Sequence, residues 1–464
     1  MLDALQNAFF QTGDTLTSWL SAFSSFLWGW PLLIMLLGTH LYLTAILRFP
    51  QRYLLKALKL YFVKDHTDKG DISPFSSLMV ALAANIGAGN IIGVGVAIAA
   101  GGPGAVFWCW LTGVLGMATR YSEGLLAIKY RVENKDGNMS GGPMFVLERG
   151  LNSKWLGTAF AVFTAMAAFG IGNLTQGNAA AEQLHHAFSI PSWGTAAVLT
   201  ALTALVMLGG IQGIARVCAF FVPFMAVIYI LGCLYILTVQ AEYIFPAIRY
   251  ILDCAFTGEA AAGGAAGAAV MAAMRTGVAR GLFSNEAGLG TGSIAHACAD
   301  TKKPVKQGMF GIFEVFADTI VICTLTAFAV LMSGTPIEYG QAAGAPLTIA
   351  AFSTTFGRAG GVIISVGLTL FATSTILSWC LYGTRCAEFL FKSTKVIKPY
   401  QIIFCLVIIL GAVTELSLVW DIADTLNGFM AIPNLVGLLG LSPIVIKLTR
   451  EYFNGVRLGE SNRK

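Results

Sequence analysis

The sequence predicts an all-α polytopic membrane protein with about 11 transmembrane helices, in which one extra N-terminal helix precedes a 5+5 inverted repeat. Three observations predict this fold class: the composition, the order of apolar segments and basic loops, and two matching glycine-rich interruptions. Of 464 residues, 56% are hydrophobic and 11% are charged, whereas soluble proteins carry about 25% charged residues. The net charge of +5 is therefore interpreted through membrane topology, and no nucleic-acid partner is expected.

Apolar segments long enough to cross a bilayer, about 20 residues each, recur along the chain. We expect spans at 26–47, 77–100, 105–127, 157–187, 194–210, 217–240, 262–297, 309–332, 360–390, 400–420 and 426–447. The N-terminal stretch MLDALQNAFFQTGD contains no basic residue, so it does not have the pattern of a secretory signal peptide and the first span is expected to be retained.

Lys and Arg concentrate in alternate loops, and the opposite loops contain only Arg249 and Arg358. The positive-inside rule then predicts a multi-pass protein of the cell (inner) membrane, with the N-terminus outside and the C-terminus cytoplasmic. An odd number of spans agrees with this orientation. We expect four segments: an extra helix with its loop at 1–70, the first repeat at 71–260, the inverted repeat at 261–450, and a tail at 451–464.

Two interruptions rich in glycine, NIGAGN at Asn85–Asn90 and NEAGLG at Asn285–Gly290, open the two repeats. Such segments at matching places in inverted halves indicate the binding site of a secondary transporter. Broken helices free backbone N–H groups, which favour a carboxylate, and carbonyl oxygens, which suit Na⁺. The alternative is that the glycines only allow close helix packing.

Other function classes lack their usual signals in this sequence. Nine cysteines occur without a CxxC pair, which favours reduced thiols over a disulfide framework or a structural metal site. No HExxH, GxSxG or nucleotide-binding loop is present, so an enzyme or an ATP-driven pump is not expected. A channel stays a remote alternative, because neither charged rings nor repeated filter loops are apparent.

Four motifs carry a family resemblance: GGPGAVFWCWLTGVLGMATRYSE, SGGPMFVLERG, GLFSNEAGLGTGSIAHA and SWCLYG. From Trp30 to Pro443 the chain resembles the alanine or glycine:cation symporter family, also called sodium:alanine symporters. The resemblance implies a LeuT-type fold and cation-coupled uptake of small neutral amino acids such as alanine and glycine. Na⁺ is the expected coupling ion, with no covalent cofactor. Coupling to H⁺, or a preference for serine or glutamine, remains an alternative.

The resemblance also implies site residues at the two breaks. At the first break the substrate carboxylate is expected to meet backbone amides near Gly87 and Gly89. On the second broken helix the unwound stretch is expected to include Phe283, Ser284 and Asn285. The substrate-binding residues expected from both breaks are Asn85, Gly87, Ala88, Gly89, Asn90, Phe283 and Ser284, and the carbonyl oxygens expected to bind Na⁺ there are those of Ala83 and Ile86.

The ninth span, with FATSTILSWCLYG, is expected to complete both sites. The resemblance assigns Na⁺ to the hydroxyls of Ser374 and Thr375 and the carbonyl of Phe371, although such hydroxyls also bond to their own helix. Thr375 and Trp379 share a helix face and are expected beside the substrate. Trp379 has packing or the membrane interface as its alternative.

The fourth span contributes two amides on one face, Asn173 and Gln176. Such polar side chains are costly toward lipid, so this face is expected to look inward. Gln176 is the candidate to meet the ammonium or carboxylate group of the substrate. The alternative is that it makes a hydrogen bond between helices.

Charged residues inside the predicted spans are candidates for function by default. Arg120 and Glu123, three residues apart, are expected to form an inward salt bridge. Glu314 and Asp318 share a helix face, as proton carriers or as partners for arginines. His185, His186 and His296 lack metal-ligand spacing and are expected to be surface or packing residues.

Overall fold

The computed structural model describes residues 26–60, 70–257, 266–340, 345–413 and 416–461. Within these ranges the chain is almost wholly helical, apart from one two-stranded hairpin of β1 (Val132–Glu133) and β2 (Met139–Ser140). The predicted boundary at 260/261, and parts of the predicted spans 262–297 and 400–420, lie outside the described residues.

The helices of the first part of the chain, up to residue 257, are numbered α1 to α10. They are α1 (Trp30–Ile46), α2 (Leu54–Leu60), α3 (Pro74–Asn85), α4 (Val94–Gly101), α5 (Gly104–Tyr130), α6 (Lys154–Phe169), α7 (Thr175–Phe188), α8 (Ser192–Leu208), α9 (Gly210–Val239) and α10 (Ile244–Thr257). Short π-helical segments, Gly89–Gly93 and Gly170–Leu174, lie before α4 and between α6 and α7.

The second part of the chain, from residue 266, is also helical. Its helices are α11 (Ala266–Asn285), α12 (Gly292–Ala297), α13 (Pro304–Val315), α14 (Thr324–Met332), α15 (Ala345–Phe356), α16 (Arg358–Phe391), α17 (Ile397–Val413), α18 (Leu416–Gly440) and α19 (Ser442–Ser461). A π-helical segment, Phe316–Cys323, joins α13 to α14. Such π segments are rare and occur often at functional sites.

By length and composition, five helical stretches among the described residues are apolar enough to cross a membrane, or up to eight if each of three bent pairs counts as one span. This confirms a multi-pass membrane protein, and the count of about 11 stays a prediction. One bent pair is the first predicted break, where Pro74–Asn85 and Gly89–Gly101 meet at an angle of 48°.

Helix α5 lies at the centre of the bundle and packs against α11 and α13. Glycines on α5 allow this close approach: a Cβ added at Gly124 would lie 3.2 Å from the carbonyl oxygen of Gln307. Small residues at such contacts are typical of membrane helix pairs. By contrast, large apolar side chains are exposed on the outer helices, for example Leu208 on α8 and Phe220 on α9. An exposed apolar surface of this kind faces lipid, so the polar groups gather inside.

Candidate functional site

The first break exposes two backbone amides to side-chain acceptors. Helix α3 ends at Asn85, Ile86 is extended (φ −77°, ψ 96°), and π-helical geometry resumes at Gly89. The Gly87 amide donates to Asn90 Oδ1 at 3.0 Å, and the Ala88 amide donates to Gln176 Oε1 at 3.3 Å. The break thus presents N–H groups in a buried place where a carboxylate could accept them.

The second break begins later than expected. Phe283, Ser284 and Asn285 belong to helix α11, so the prediction that they are unwound is wrong. The chain unwinds from Glu286 onward, with positive φ at Glu286 (52°), Gly288 (103°) and Gly290 (81°). Glycine tolerates these left-handed conformations, and the Asn285 side chain ends the helix by accepting from the Ala287 amide at 3.0 Å.

The two broken helices touch where the sequence predicted substrate contacts. A Cβ added at Gly89 would lie 2.9 Å from Phe283 Cδ1, so the ring of Phe283 packs directly on the first break. Asn90 donates to the hydroxyl of Ser284 at 2.9 Å. The structure therefore brings Gly89, Asn90, Phe283 and Ser284 together in one buried region.

Asn85 is buried but belongs to a different neighbourhood from Gly87. Its amide nitrogen donates to the Asn285 carbonyl at 3.1 Å and to Glu314 Oε1 at 2.9 Å, and its Oδ1 accepts from Arg120 at 3.4 Å. Both polar atoms of the side chain thus have protein partners here. Asn85 holds the breaks together in this arrangement.

Thr375 reaches across to the first broken helix. Its hydroxyl donates to the Ala83 carbonyl at 2.8 Å, and a Cβ at Gly87 would lie 2.6 Å from the same Oγ1. Ser374 instead bonds to its own helix, donating to the Phe371 carbonyl at 2.8 Å, which is the alternative given for these hydroxyls. Together with the carbonyl of Ile86 at the break, these are the oxygens predicted for Na⁺.

Asn173 and Trp379 have clear packing partners. Asn173 donates to the Phe404 carbonyl at 2.6 Å, a hydrogen bond between helices. Trp379 is 1% exposed, which excludes a place at the lipid interface. A Cβ added at Gly172 would lie 2.0 Å from Trp379 Cβ, so the indole packs where the fourth predicted span has no side chain. Tyr382 contacts it edge-on, with ring centroids 5.6 Å apart.

Asp318 is a neighbour of the site that the sequence did not place there. It lies on the π-helical segment between α13 and α14 and accepts from Asn90 at 2.7 Å and from Ser284 at 2.7 Å. Nothing in the spacing of the sequence indicates that position 318 meets both broken helices. The one signal in the sequence is that Asp318 is a charged residue within an apolar segment.

A buried ionic cluster lies beside the second break. Arg120 pairs with Glu314, with Glu123 at 3.1 Å and with Glu286 at 3.8 Å. The predicted Arg120–Glu123 bridge is confirmed, and Glu314 is a partner for an arginine. A Cβ at Gly292 would lie 1.9 Å from the Arg120 guanidinium, so only glycine leaves room for it.

His296 corrects another expectation. It is fully buried and bonds to Glu314 at 2.7 Å and to Gln307 at 2.6 Å, so it belongs to the ionic cluster and is more than a surface or packing residue. His185 and His186 are exposed, as predicted. On the second broken helix, Arg280 pairs with Asp424 at 2.5 Å.

A second polar cluster lies next to the β1–β2 hairpin, between the loop before the first broken helix and the last turns of α16. Asp71 accepts from the Met139 amide at 2.9 and 3.0 Å and pairs with Arg385 at 3.6 Å. Burial raises the pKa of Asp71 above its ordinary value, and the amide bond and Arg385 oppose this rise only in part. The cluster ties the start of the first broken helix to the hairpin and to α16.

Residues 13–464 match the model of a family described as the sodium:alanine symporter family. Among similar proteins, the sodium/alanine symporter AgcS of Methanococcus maripaludis is 48% identical over 447 residues, covering 94% of this chain and 97% of AgcS. An uncharacterized transporter of Haemophilus influenzae is also 48% identical over 447 residues, covering 96% and 98%. The probable sodium/glutamine symporter GlnT of Bacillus subtilis is 35% identical over 436 residues, covering 94% and 90%.

Solved structures show the fold. MhsT in complex with L-phenylalanine superposes with a TM-score of 0.56 at 14% identity, covering 82% of this chain and 98% of MhsT. Mhp1, a nucleobase-cation-symport-1 family transporter, gives 0.52 at 14% identity, covering 84% and 79%. Both have the LeuT fold, so the predicted LeuT-type fold is confirmed.

Proposed function

The chain belongs to the sodium:alanine symporter family, and on that premise we propose that it is a secondary active transporter that couples Na⁺ entry to uptake of small neutral amino acids such as alanine and glycine. The observation that carries the proposal is the bond between Thr375 and the Ala83 carbonyl directly beside the freed amide of Gly87. A candidate cation site and a candidate carboxylate site therefore adjoin at one helix break.

The substrate carboxylate would bind at the first break. Gln176 and Asn90 now accept from the amides of Ala88 and Gly87. An amino-acid carboxylate would take over one or both of these N–H groups, and Gln176 would turn to the substrate. Asn85, Gly89, Phe283, Ser284 and Thr375 complete the proposed wall, with Asn85 acting through the position of the second break.

Limited space at the proposed site would favour alanine and glycine. Trp379 lies one helical turn from Thr375, and its ring fills the space opposite Gly172. A longer side chain on the substrate would have to displace the indole. AgcS is named a sodium/alanine symporter, which supports alanine as the substrate. The name of GlnT, a probable sodium/glutamine symporter, keeps glutamine as an alternative. Serine is also an alternative.

Na⁺ would be bound by neutral oxygens from the carbonyls of Ala83, Ile86 and Phe371 and the hydroxyls of Ser374 and Thr375. Oxygen ligands suit a hard cation, and no carboxylate is needed for a monovalent ion. The two hydroxyls now donate to two of these carbonyls, at 2.8 Å each. On ion binding they would turn their lone pairs toward the cation. Coupling to H⁺ in place of Na⁺ remains the alternative.

The proposed location of the protein is the cell (inner) membrane, with the N-terminus outside and the C-terminus cytoplasmic. The orientation follows from the basic loops, which alternate as the positive-inside rule requires. The two repeats would span 71–260 and 261–450, each containing one of the two glycine-rich interruptions. An inverted pair of repeats would let the two broken helices alternate access to a site near the midplane.

Uptake of radiolabelled alanine into proteoliposomes tests the proposal. We expect accumulation that requires an inward Na⁺ gradient, that collapses when the gradient is removed, and that glycine inhibits. Equilibration without accumulation would indicate a channel. Full uptake in Na⁺-free buffer driven by a pH gradient would replace Na⁺ by H⁺. The competitor panel of glycine, serine and glutamine ranks the substrates.

A further inference from the structure

Asp318 is a buried carboxylate that Na⁺-coupled uptake, as proposed above, does not use. It is fully buried within the helical bundle. Across the described ranges of the chain, no lysine, arginine or histidine side chain forms an ion pair with it, whereas Glu123, Glu286 and Glu314 all meet Arg120. An isolated carboxylate at such depth is costly unless its charge is neutralised, and such residues mark proton and ion pathways.

The groups that touch Asp318 are neutral hydrogen-bond donors from three parts of the fold. Asn90 of the first break donates to Oδ1 at 2.7 Å. Ser284 of the second broken helix and Thr319 of its own helix donate to Oδ2 at 2.7 and 2.9 Å. These bonds satisfy the carboxylate oxygens but bring no compensating charge.

The orientation of Asn90 favours a proton over a metal ion as the neutralising cation. Its amide nitrogen faces Asp318, because its Oδ1 accepts from the Gly87 amide at 3.0 Å. A metal ion would need oxygen lone pairs on that side, where N–H hydrogens now point. A proton on the carboxyl needs only a rotation of the Ser284 or Thr319 hydroxyl, which can then accept from it.

Asn90 also connects Asp318 to the first break, since one side chain bonds the carboxylate and the Gly87 amide. We propose that Asp318 is a proton-binding site whose occupancy is coupled to substrate binding at Gly87 and Ala88. This rests on the proposed function, which puts the substrate carboxylate at those amides. An ionised Asp318 repels a second carboxylate one side chain away, and a proton from solvent on Asp318 removes that repulsion. Substrate binding therefore takes up a proton, and by reciprocity affinity rises as pH falls.

Other ionisable groups lie near Asp318, and their contributions to the pH dependence must be distinguished from that of Asp318. The charged or titratable side chains described on the helices packed against it are Cys109, Arg120, Tyr121, Glu123, Lys129, Tyr130, Arg275, Arg280, Lys306 and Glu314. Cys323 lies on the segment of Asp318 itself, and Glu286 follows the end of α11. Glu314 and Glu286 meet Arg120, and Arg280 pairs with Asp424. The cysteines are thiols that carry no charge when protonated. Asp318 is the one described carboxylate of this set that has no basic partner.

Three proteins test the proposal: the wild type, Asp318→Asn and Asp253→Asn. The side chain introduced by Asp318→Asn has nearly the shape of a protonated aspartate and cannot titrate. Asp253 is half exposed on α10 and, among the described residues, forms an ion pair with Arg249 alone, so its replacement is the matched control. Alanine binding to each purified full-length protein is measured by calorimetry at saturating Na⁺ across a pH series. The wild type is also titrated in two buffers of different ionisation enthalpy, which counts the protons taken up per alanine.

We expect wild type and Asp253→Asn to lose alanine affinity as pH rises, approaching about tenfold per pH unit above the pKa of the coupled group. Asp318→Asn should keep the high affinity at every pH. The wild-type count should approach one proton per alanine over the same range. If Asp318→Asn does not fold, the wild-type proton count decides alone.

Two results overturn the proposal while leaving the proposed function intact: alanine binding without proton uptake, or an unchanged pH profile in Asp318→Asn. Failure of the wild type to bind alanine at any pH would instead contradict the proposed function itself.

Discussion

The side chain of Asn85 donates to the backbone carbonyl of Asn285 at 3.1 Å. Each of these asparagines is the last residue of a half-helix, α3 in one case and α11 in the other. The bond joins the two breaks at equivalent places, where a helix end leaves its carbonyls without intrahelical partners. A carbonyl freed at one break is thus satisfied by the side chain that ends the other.

The pair of hydroxyls on α16 provides the first prediction. Ser374→Ala and Thr375→Ala each remove one proposed Na⁺ ligand, and Thr375 alone also bonds to Ala83. We expect the Na⁺ concentration for half-maximal uptake to rise at least about tenfold in each variant, a loss of about 1.4 kcal/mol. Thr373→Ala is the control, since within the described part of the chain its hydroxyl bonds only to the Thr369 carbonyl, at 2.7 Å. Unchanged Na⁺ activation in both variants would remove these hydroxyls from the site.

Gly89 should not accept a side chain. A Cβ there would lie 2.9 Å from Phe283 Cδ1, so Gly89→Val must displace the ring that packs on the first break. We expect alanine binding to fall below detection while the protein remains inserted and monodisperse. Gly367→Val on α16 is the matched control, because a Cβ at Gly367 would meet no atom of the described residues within 4 Å. Wild-type affinity in Gly89→Val would mean that the break is a packing device only.

Trp379 should limit substrate size. Replacing it by alanine removes the indole that fills the space at Gly172 and should admit larger amino acids as competitors of alanine uptake. Alanine itself should bind more weakly, because the variant loses the contact between the indole and alanine together with the steric exclusion of larger substrates. Inhibition of labelled alanine uptake by leucine, methionine and glutamine measures the change. Wild-type competition in Trp379→Ala would exclude the residue from the pocket wall.

Arg120 should be essential for stability. Arg120→Met leaves Glu314, Glu123 and Glu286 buried without their cation, and breaking a buried pair in this way costs about 3–5 kcal/mol. We expect a large fall in thermal stability in detergent, whereas Arg249→Met, which breaks an exposed pair with Asp253, should change it little. Gly292→Ala should behave like Arg120→Met, because its Cβ would occupy the place of the guanidinium. Equal melting temperatures for Arg120→Met and the control would show that the cluster is not structural.

Much of the fold could be read from the sequence because a membrane imposes simple rules on composition. Apolar length, basic loops and the two glycine-rich interruptions each follow from the cost of burying polar groups in lipid, and they act locally. The first break could be placed for the same reason: Gly87 and Gly89 interrupt an apolar helix. The Arg120–Glu123 pair was predictable because three residues put both side chains on one helix face.

Tertiary structure alone decided where the polar side chains meet. The chain unwinds at Glu286, Gly288 and Gly290, inside the predicted interruption NEAGLG, whereas Phe283, Ser284 and Asn285, which the family resemblance expected to be unwound, remain helical. His296 joins Glu314, and Asp318 joins Asn90, across 228 residues of chain in the second case. Such partners are selected by helix packing. Packing sums many weak contacts between residues distant in the chain, whereas the membrane acts on each apolar segment separately. Local features could therefore be predicted from the sequence, and contacts between distant segments could not.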